Sequence, residues 1–581
     1  MIPGIVASQR LRVAASQYRV AVTVPAASVG ETLSGFPVYV DLASMPAAFW
    51  SVRPHKDGRD VRVKDAGGAD LPFHLVRVNP RAKTGSLFVK LDLSSASPST
   101  FYVHWGNAAL SAVSGAPVWS DYHRVYLFHP SPTDGTGQLD VTGSGTLALT
   151  SGRNKRFGLA SQSPALTEHQ GICCDGAHYY VTDTNAINKY DMDWNLVASN
   201  QNPVGDVGGG VNHCGDPDVH AGLLYVPIES YTSPTVFSAQ KIAVFRADTL
   251  EFVTAHDVSA QGAEVSGVCI DAAAGHLYTV AYAAGGFSAK KYSLDTMAFI
   301  ESIAGAGTST YIQGMTRFRE RFYANADGQD YTYLMTDSGY LPGFSAATRQ
   351  WTDMADNATS RAGNYEGIGS TDDELLILRD DGATSVVHVI SPLSTEAGGG
   401  MDIVQASGEN SYLSSSISDL SVFTLGCTVI PATYTSSNGN NAILSISTGV
   451  YSEDKRIGLV RRNATGKFGL WHTTAGWLDG ASPVVSGTRY RLHARYNGGS
   501  SRALFVNGTK EAEQTAFVAP PAGRTTLYLG AEDTSFFEKF AGQIGFVYLR
   551  ASLLSDQWIA AEASNLSRPG DFYTVGAAEP V

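Results

Sequence analysis

Gln170-Gly171-Ile172 leading to Tyr179-Tyr180-Val181, and Cys214-Gly215-Asp216 leading to Leu224-Tyr225-Val226, open a repeat that decides the fold. The later copies are Ser266-Gly267-Val268 with Leu277-Tyr278-Thr279-Val280, Gln313-Gly314-Met315 with Arg321-Phe322-Tyr323, and Glu366-Gly367-Ile368 with Leu375-Leu376-Ile377-Leu378. In each copy a glycine followed by an apolar residue or Asp runs through a turn into an apolar strand. The five glycines are spaced by 44, 52, 47 and 53 residues. Further strands such as Ile187-Asn188-Lys189-Tyr190-Asp191 and Ile242-Ala243-Val244-Phe245-Arg246 complete each unit. A period of about 45–50 residues with several short strands per unit marks the blades of a β-propeller. The repeat predicts five blades over residues 154–396 and leaves room for a sixth, degenerate one between Gly328 and Asn357.

The residues just before each repeat glycine start the innermost strand of a blade, near the mouth of the central channel. They include Glu168, His169 and Gln170, then His213, Glu264, Gln313 and Glu366. Acids, amides and imidazoles brought together there are candidates for a polar ligand-binding surface or a set of metal ligands, against the plainer and favoured reading that they only satisfy the channel end. No pair of carboxylates recurs at a fixed position from copy to copy, so the sequence assigns no catalytic residue.

The 581 residues far exceed what one hydrophobic core fills, and predict two to four domains. Charged residues are only 16% while Gly reaches 60 and Tyr 27, the composition of a β-rich chain that solvates its surface with hydroxyls, amides and turns. A net charge of −13 disfavours nucleic acid, whose affinity comes from neutralised phosphates. No apolar run is long enough to span a bilayer. The opening Met1-Ile2-Pro3-Gly4-Ile5-Val6 has no basic n-region or continuous apolar stretch of a signal peptide. The five cysteines, Cys173, Cys174, Cys214, Cys269 and Cys427, lack metal-type spacing and read as small buried hydrophobes of a reducing compartment. Neither a metal nor a cofactor is expected.

Before the repeat, residues 18–115 alternate apolar and polar through Tyr18–Val24, Phe36–Leu42, Val61–Val63, Phe73–Val76, Leu87–Leu91 and Phe101–Trp105, the pattern of a β-sandwich. The motifs Tyr18-Arg19, Phe36-Pro37-Val38, Arg59-Asp60-Val61-Arg62-Val63, Leu71-Pro72-Phe73 and Tyr102-Val103-His104-Trp105-Gly106-Asn107 stand in the order and spacing of the DUF2341 family. The region resembles that family, which commonly precedes a concanavalin-like sandwich in bacterial surface and phage tail proteins and carries no assigned catalytic residues.

After Gly398-Gly399-Gly400, residues 397–581 resemble the closing part of a concanavalin A-like or laminin-G-like lectin sandwich. The resemblance rests on Ala503–Val506 meeting the Asn507-Gly508 turn, on Leu527–Ala531, on Phe540–Tyr548, and on a tail helix with Ser555 as N-cap. The expected start of that domain, Val118-Trp119-Ser120-Asp121-Tyr122 through Asp134-Gly135-Thr136-Gly137, lies upstream of the repeat, within 116–153. A propeller inserted in a loop of the sandwich accounts for the gap, since such loops tolerate insertions whose ends lie close together. Trp471, His472 and Trp477 are its candidate sugar-binding residues.

Together these readings predict an all-β protein: an N-terminal sandwich, then a propeller inserted in a concanavalin A-like jelly roll. The resemblances imply a structural or adhesion protein of a bacteriophage virion, such as a tail fibre, tail tip or receptor-binding protein. Residues 1–17 would be its attachment segment. Its partners would be other tail proteins and a host surface glycan or protein, with no membrane insertion and synthesis in the host cytoplasm. Fibre proteins are often trimers, but no heptad stretch here specifies a homo-oligomer. The alternatives are a glycan-processing enzyme using Glu168, Glu264 and Glu366 at the propeller mouth, and a bacterial surface adhesin.

Overall fold

A computed structural model describes residues 17–581 apart from 52–57, 80–82, 108, 128–136, 140–145, 151–153, 156, 234–235, 260–261, 263, 273, 284–287, 305–310, 319–320, 327–330, 338–343, 351–363, 372–373, 381, 393, 396–397, 404–411, 433–439, 449–455, 520–521 and 533–539. The attachment segment expected over residues 1–17 therefore lies, except for Gln17, outside the described residues. The same holds for most of the Asp134–Gly137 turn.

The chain is all-β: two sandwiches packed together, one of them interrupted by a propeller. In the N-terminal sandwich, Tyr18–Val24 pairs along its whole length with Ser99–Trp105 and buries Val20, Val22 and Val24 on one face. The facing sheet runs Leu33–Asp41, Thr84–Leu93, Phe73–Asn79. The free edge of Tyr18–Val24 is closed by the other end of the chain. Val22 pairs with Val575, Thr23 with Thr574, and Arg19 with Glu579. The C-terminal tail thus belongs structurally to the first sandwich, which period-two alternation within residues 18–115 could not indicate.

The second sandwich has sheets of nine and eight strands, and each takes strands from both sides of the propeller. Arg124–Tyr126 pairs with Gly542–Arg550, and Thr146–Thr150 with Tyr412–Ser416. Asn154–Lys155 pairs with Gly398–Ile403, so the two chain segments that enter and leave the insertion are hydrogen-bonded to each other. Asn507 and Gly508 have φ of 51° and 83°, the doubly left-handed geometry of a tight hairpin turn.

The helix Asp556–Ser567 joins the two sandwiches. Ser555 caps it by accepting from the Trp558 amide at 3.0 Å. On one side Asn565 accepts from the Tyr39 amide (2.7 Å) and donates to the Tyr39 carbonyl (2.9 Å), in the manner of an added strand. On the other, buried Glu562 receives the Arg491 guanidinium at 2.6 Å, His493 at 3.0 Å and the Tyr548 hydroxyl at 2.9 Å. Between them Trp558, Ile559 and Leu566 share one apolar core with Phe36, Phe88 and Phe546. Burial opposes ionisation of Glu562, but the Arg491 and His493 partners outweigh it and hold the carboxyl down at about 2.

Five sheets built from the repeat lie among the described residues. The first runs Gly171–Cys174, His178–Asp183, Ala186–Asp191, Leu196–Asn200. The fifth consists of Asn364–Ser370, Leu375–Asp380 and Ser385–Pro392, with Phe157–Gln162 as its outermost strand, so the ring is closed by strands from both ends of the insertion. Tyr331–Asp337 and Phe344–Gln350, in the stretch that had left room for a sixth unit, are the outer strands of the fourth sheet. Inner strands of neighbouring sheets touch all the way round.

At the axis the repeat glycines acquire a physical reason. Asp216, wholly buried on the second sheet, accepts from the Ile172 amide (2.9 Å) on the first and the Ile368 amide (3.2 Å) on the fifth. Its own amide and carbonyl bond Ser266 and Val268 of the third. A Cβ on Gly314 would overlap the Asp216 carboxylate, and one on Gly171 would overlap the Asp216 backbone.

Two outcomes follow from this packing. Glu562→Gln removes one member of a buried ion pair and is expected to cost about 3–5 kcal/mol in urea unfolding. That contribution is complete above the ordinary carboxylate value of 4.5 and is lost as pH falls from there towards about 2. Gly314→Ala is expected to open the propeller alone, so limited proteolysis with mass spectrometry should place new cuts within residues 154–396 and spare the sandwiches.

Candidate functional site

The first and second strands of each sheet are antiparallel. The start of the inner strand and the end of the second strand therefore lie at the same mouth of the channel. His213 pairs with Glu229 in this way, and Asn364 with Asp380. A search along the inner strands alone misses what the second strands deliver, and Glu229, closing the apolar run Leu224–Ile228, is such a residue.

Glu229, Glu264 and Glu366 come from the second sheet, the approach to the third, and the fifth. Their residual exposures are 1%, 5% and 8%. The Val265 amide donates to Glu229 Oε2 at 3.2 Å, which sets that carboxyl against the Glu264 segment. Glu229 Oε1 is buried and has no hydrogen-bond partner among the described residues. From the fourth sheet, Gln313 Nε2 donates to Glu366 Oε2 at 2.5 Å. Burial, and then the charges of Glu229 and Glu366, push Glu264 up to about 8. Burial, partly offset by the Val265 amide, lifts Glu229 to about 7. The mouth therefore carries carboxyl groups that hold protons near neutrality, able both to donate and to accept. Beside Gly314, the wholly buried Asn325 leaves both amide atoms unpartnered among the described residues, so polar groups continue down the axis.

The other expected mouth residues are placed differently. Glu168 is a correction to the reading from sequence: its carboxylate is spent inside the first sheet. It accepts from the Tyr190 hydroxyl (2.6 Å), from the Asn188 amide group and from the Thr167 backbone (3.0 Å). A carboxylate buried to 1% must be satisfied, and these donors satisfy it internally. His169 bridges the first and fifth sheets through Asp380 at 2.8 Å. Gln170 is half-buried, its backbone bonded to Thr182. His213 stacks on Tyr231 with ring centroids 4.9 Å apart, and burial lowers its basicity, partly offset by Asp183. The sequence thus names Glu264, Gln313 and Glu366 of the cluster.

In the second sandwich Trp471 and Trp477 face each other across a hairpin at 4.7 Å, half-buried. Arg456 lies over the Trp471 ring at 5.7 Å and Arg462 over Trp477 at 4.3 Å, so a guanidinium occupies one face of each indole. Arg502 donates to the carbonyls of Ala475 and Gly476 and fixes the hairpin turn. His472 is a second correction: it is 0% exposed, packed against Tyr496 and Phe517, and burial brings it down to about 4. Its strand parity turns it into the core, away from any ligand.

Among the described residues no group of three or more His, Cys, Asp or Glu side chains could hold a metal ion, and no helix is long and apolar enough to cross a membrane.

No family model and no curated protein matches the chain. Solved structures similar to it include domain 4 of a GH43 extracellular arabinanase from Geobacillus stearothermophilus in complex with arabinotriose, at 16% identity over 30% of this chain and 80% of that one, with a TM-score of 0.24. A GH43 protein from Bacillus licheniformis aligns at 9% identity over 68% and 99%, with a TM-score of 0.29. Trypanosoma rangeli sialidase aligns at 10% identity over 77% and 98%, with a TM-score of 0.25.

The raised carboxyls carry a pH signature. The folded protein binds these protons more tightly than the unfolded chain. Their contribution to stability is therefore full below 4.5 and is lost as pH rises through about 7 for Glu229 and about 8 for Glu264. Thermal unfolding of the propeller should fall in temperature across that window, and the double variant Glu229→Gln/Glu264→Gln should flatten the dependence.

Proposed function

We propose that this protein is an adhesion protein that contacts a surface glycan through the mouth of its propeller. The observation that carries the reading is the cluster of Glu229, Glu264, Glu366 and Gln313, delivered by four parts of the ring to one end of the channel. Carboxyl and amide groups of this kind match the hydroxyls of a sugar, which need donors and acceptors together. On this reading the two sandwiches form a stalk, and the DUF2341-like domain lies on the attachment side. The finer form of the proposal is a bacteriophage tail component, a fibre, tip or receptor-binding protein. The resemblance of the two sandwich modules to paired modules of phage tail proteins supports it.

One observation favours a second reading, a glycan-processing enzyme: Glu264 keeps its proton near neutrality while the carboxyl of Glu366 lies close enough to act on it. A carboxylic acid beside a carboxylate is the pairing glycoside hydrolysis uses.

Two measurements separate these readings. Purified protein is expected to bind susceptible cells and their isolated polysaccharide, with affinity reduced at least about tenfold, or 1.4 kcal/mol, in Glu264→Gln. Chromatography of that polysaccharide after incubation is expected to show no new product, and release of shorter chains by wild type but not by Glu264→Gln would establish the enzyme. Mass spectrometry of purified phage particles tests the tail assignment, which requires the protein to be present in them.

A further inference from the structure

Resting on the reading of the mouth as the glycan-contacting surface, we propose that Tyr311, with Tyr282 packed beside it, is a platform on which a neutral pyranose ring of the glycan stacks. The ring it takes has its hydroxyls equatorial, so that one face is a flat patch of C–H bonds.

Repeat register places both tyrosines at the mouth. Tyr311 stands three residues before Gly314, the position that Glu264 holds before Gly267. Tyr282 stands two residues past Val280, which pairs with Gly267. Glu229 stands two past Pro227, whose carbonyl accepts from the Gly215 amide. The third and fourth sheets therefore deliver aromatic rings at the positions where the second and third deliver carboxyls. The two rings meet with centroids 5.1 Å apart, and Tyr311 is 37% exposed.

The backbone supplies a second argument. Tyr311 has a φ of 57°, a left-handed conformation that is costly for a bulky side chain. Trp194, Leu250 and Met297 adopt it too, but in the turns that lead into outermost strands, where their side chains pack into the sheets. Tyr311 gains no comparable burial. Its amide donates to the Ala283 carbonyl at 2.9 Å, and the next residue, Ile312, is 1% exposed, its carbonyl accepting from the Ser266 hydroxyl at 2.8 Å. These anchors hold an exposed ring in a conformation that its own packing does not offset, and a stacked ligand gives that placement a use.

The neighbouring groups set the class of sugar. Two residues on, Gln313 donates to Glu366 Oε2 at 2.5 Å, so amide and carboxyl groups adjoin the ring on the same segment. The negative face of an aromatic ring attracts C–H groups, and stacking removes apolar surface of both partners from water. An axial hydroxyl would hold the sugar off that face. Glu229, Glu264 and Glu366 at the same mouth oppose a sugar that carries its own carboxylate.

The test is calorimetric titration of the full-length protein with cellotriose, whose ring hydroxyls are equatorial, and with β-1,4-mannotriose, whose axial 2-hydroxyls interrupt one face. Cellotriose is expected to bind at least about tenfold more tightly. Tyr311→Gly removes the ring and suits the left-handed backbone, so its melting temperature should equal or exceed that of wild type while cellotriose affinity falls at least about tenfold. Tyr311→Phe, which keeps the ring without its hydroxyl, is expected to retain affinity to within about twofold. Equal affinity for the two trimers, unchanged cellotriose affinity in Tyr311→Gly, or a loss in Tyr311→Phe as large as in Tyr311→Gly would overturn the inference. Binding of neither trimer by protein that still binds host polysaccharide would also overturn it while leaving the glycan-contact reading intact. Wild-type protein that binds no glycan would remove both.

Discussion

The carboxylate of Asp216 is the constraint on which the propeller depends. One short side chain on the second sheet takes amide hydrogens from the first and fifth sheets, while its own backbone bonds the third. Burial drives its proton affinity well above that of an ordinary carboxyl. The environment therefore disfavours the charge even as two amides support it, and the site tolerates no added volume. Gly171, Gly314 and Gly367 are glycines because Asp216, or another strand, occupies the space a Cβ would need. The feature that first revealed the repeat is thus the steric imprint of the axis.

A second junction does for the sandwiches what Asp216 does for the ring. The helix Asp556–Ser567 presents Asn565 to one sandwich and Glu562 to the other, and the tail after it completes the sheet begun at Tyr18. The last residues of the chain therefore hold together modules formed from its first and middle parts. The propeller leaves this body through the paired strands Asn154–Lys155 and Gly398–Ile403. Such a neck lets one module be inserted without disturbing the sheets that flank it.

The fold was legible wherever a local pattern carried it. Period-two alternation marked Tyr18–Val24, the glycine period marked the blades, and Asn507-Gly508 marked a hairpin, each recorded within a few residues of chain. The closure of the first sandwich by Thr574–Val575 was not legible, because the pairing spans most of the chain and two residues have no period. The site was half legible for a related reason. Inner-strand starts gave Glu264, Gln313 and Glu366, but Glu229 arrives from the second strand, and only hairpin geometry brings the two to one mouth. Glu168 and His472 show the converse. Their sequence positions suit a site, yet Tyr190 and Asn188 in one case and strand parity in the other turn the side chains inward.

Much of the polar chemistry in this acidic protein is structural, spent on holding sheets together, and the mouth is distinguished by the buried Glu229, whose Oε1 has no hydrogen-bond partner among the described residues. The most direct measurement is a crystal structure of the full chain soaked with oligosaccharide from the recognised surface. The account predicts density at the propeller mouth, with a polar atom of the ligand within hydrogen-bonding distance of Glu264 or Glu366. Density confined to the Trp471–Trp477 hairpin, with the mouth unchanged, would contradict it.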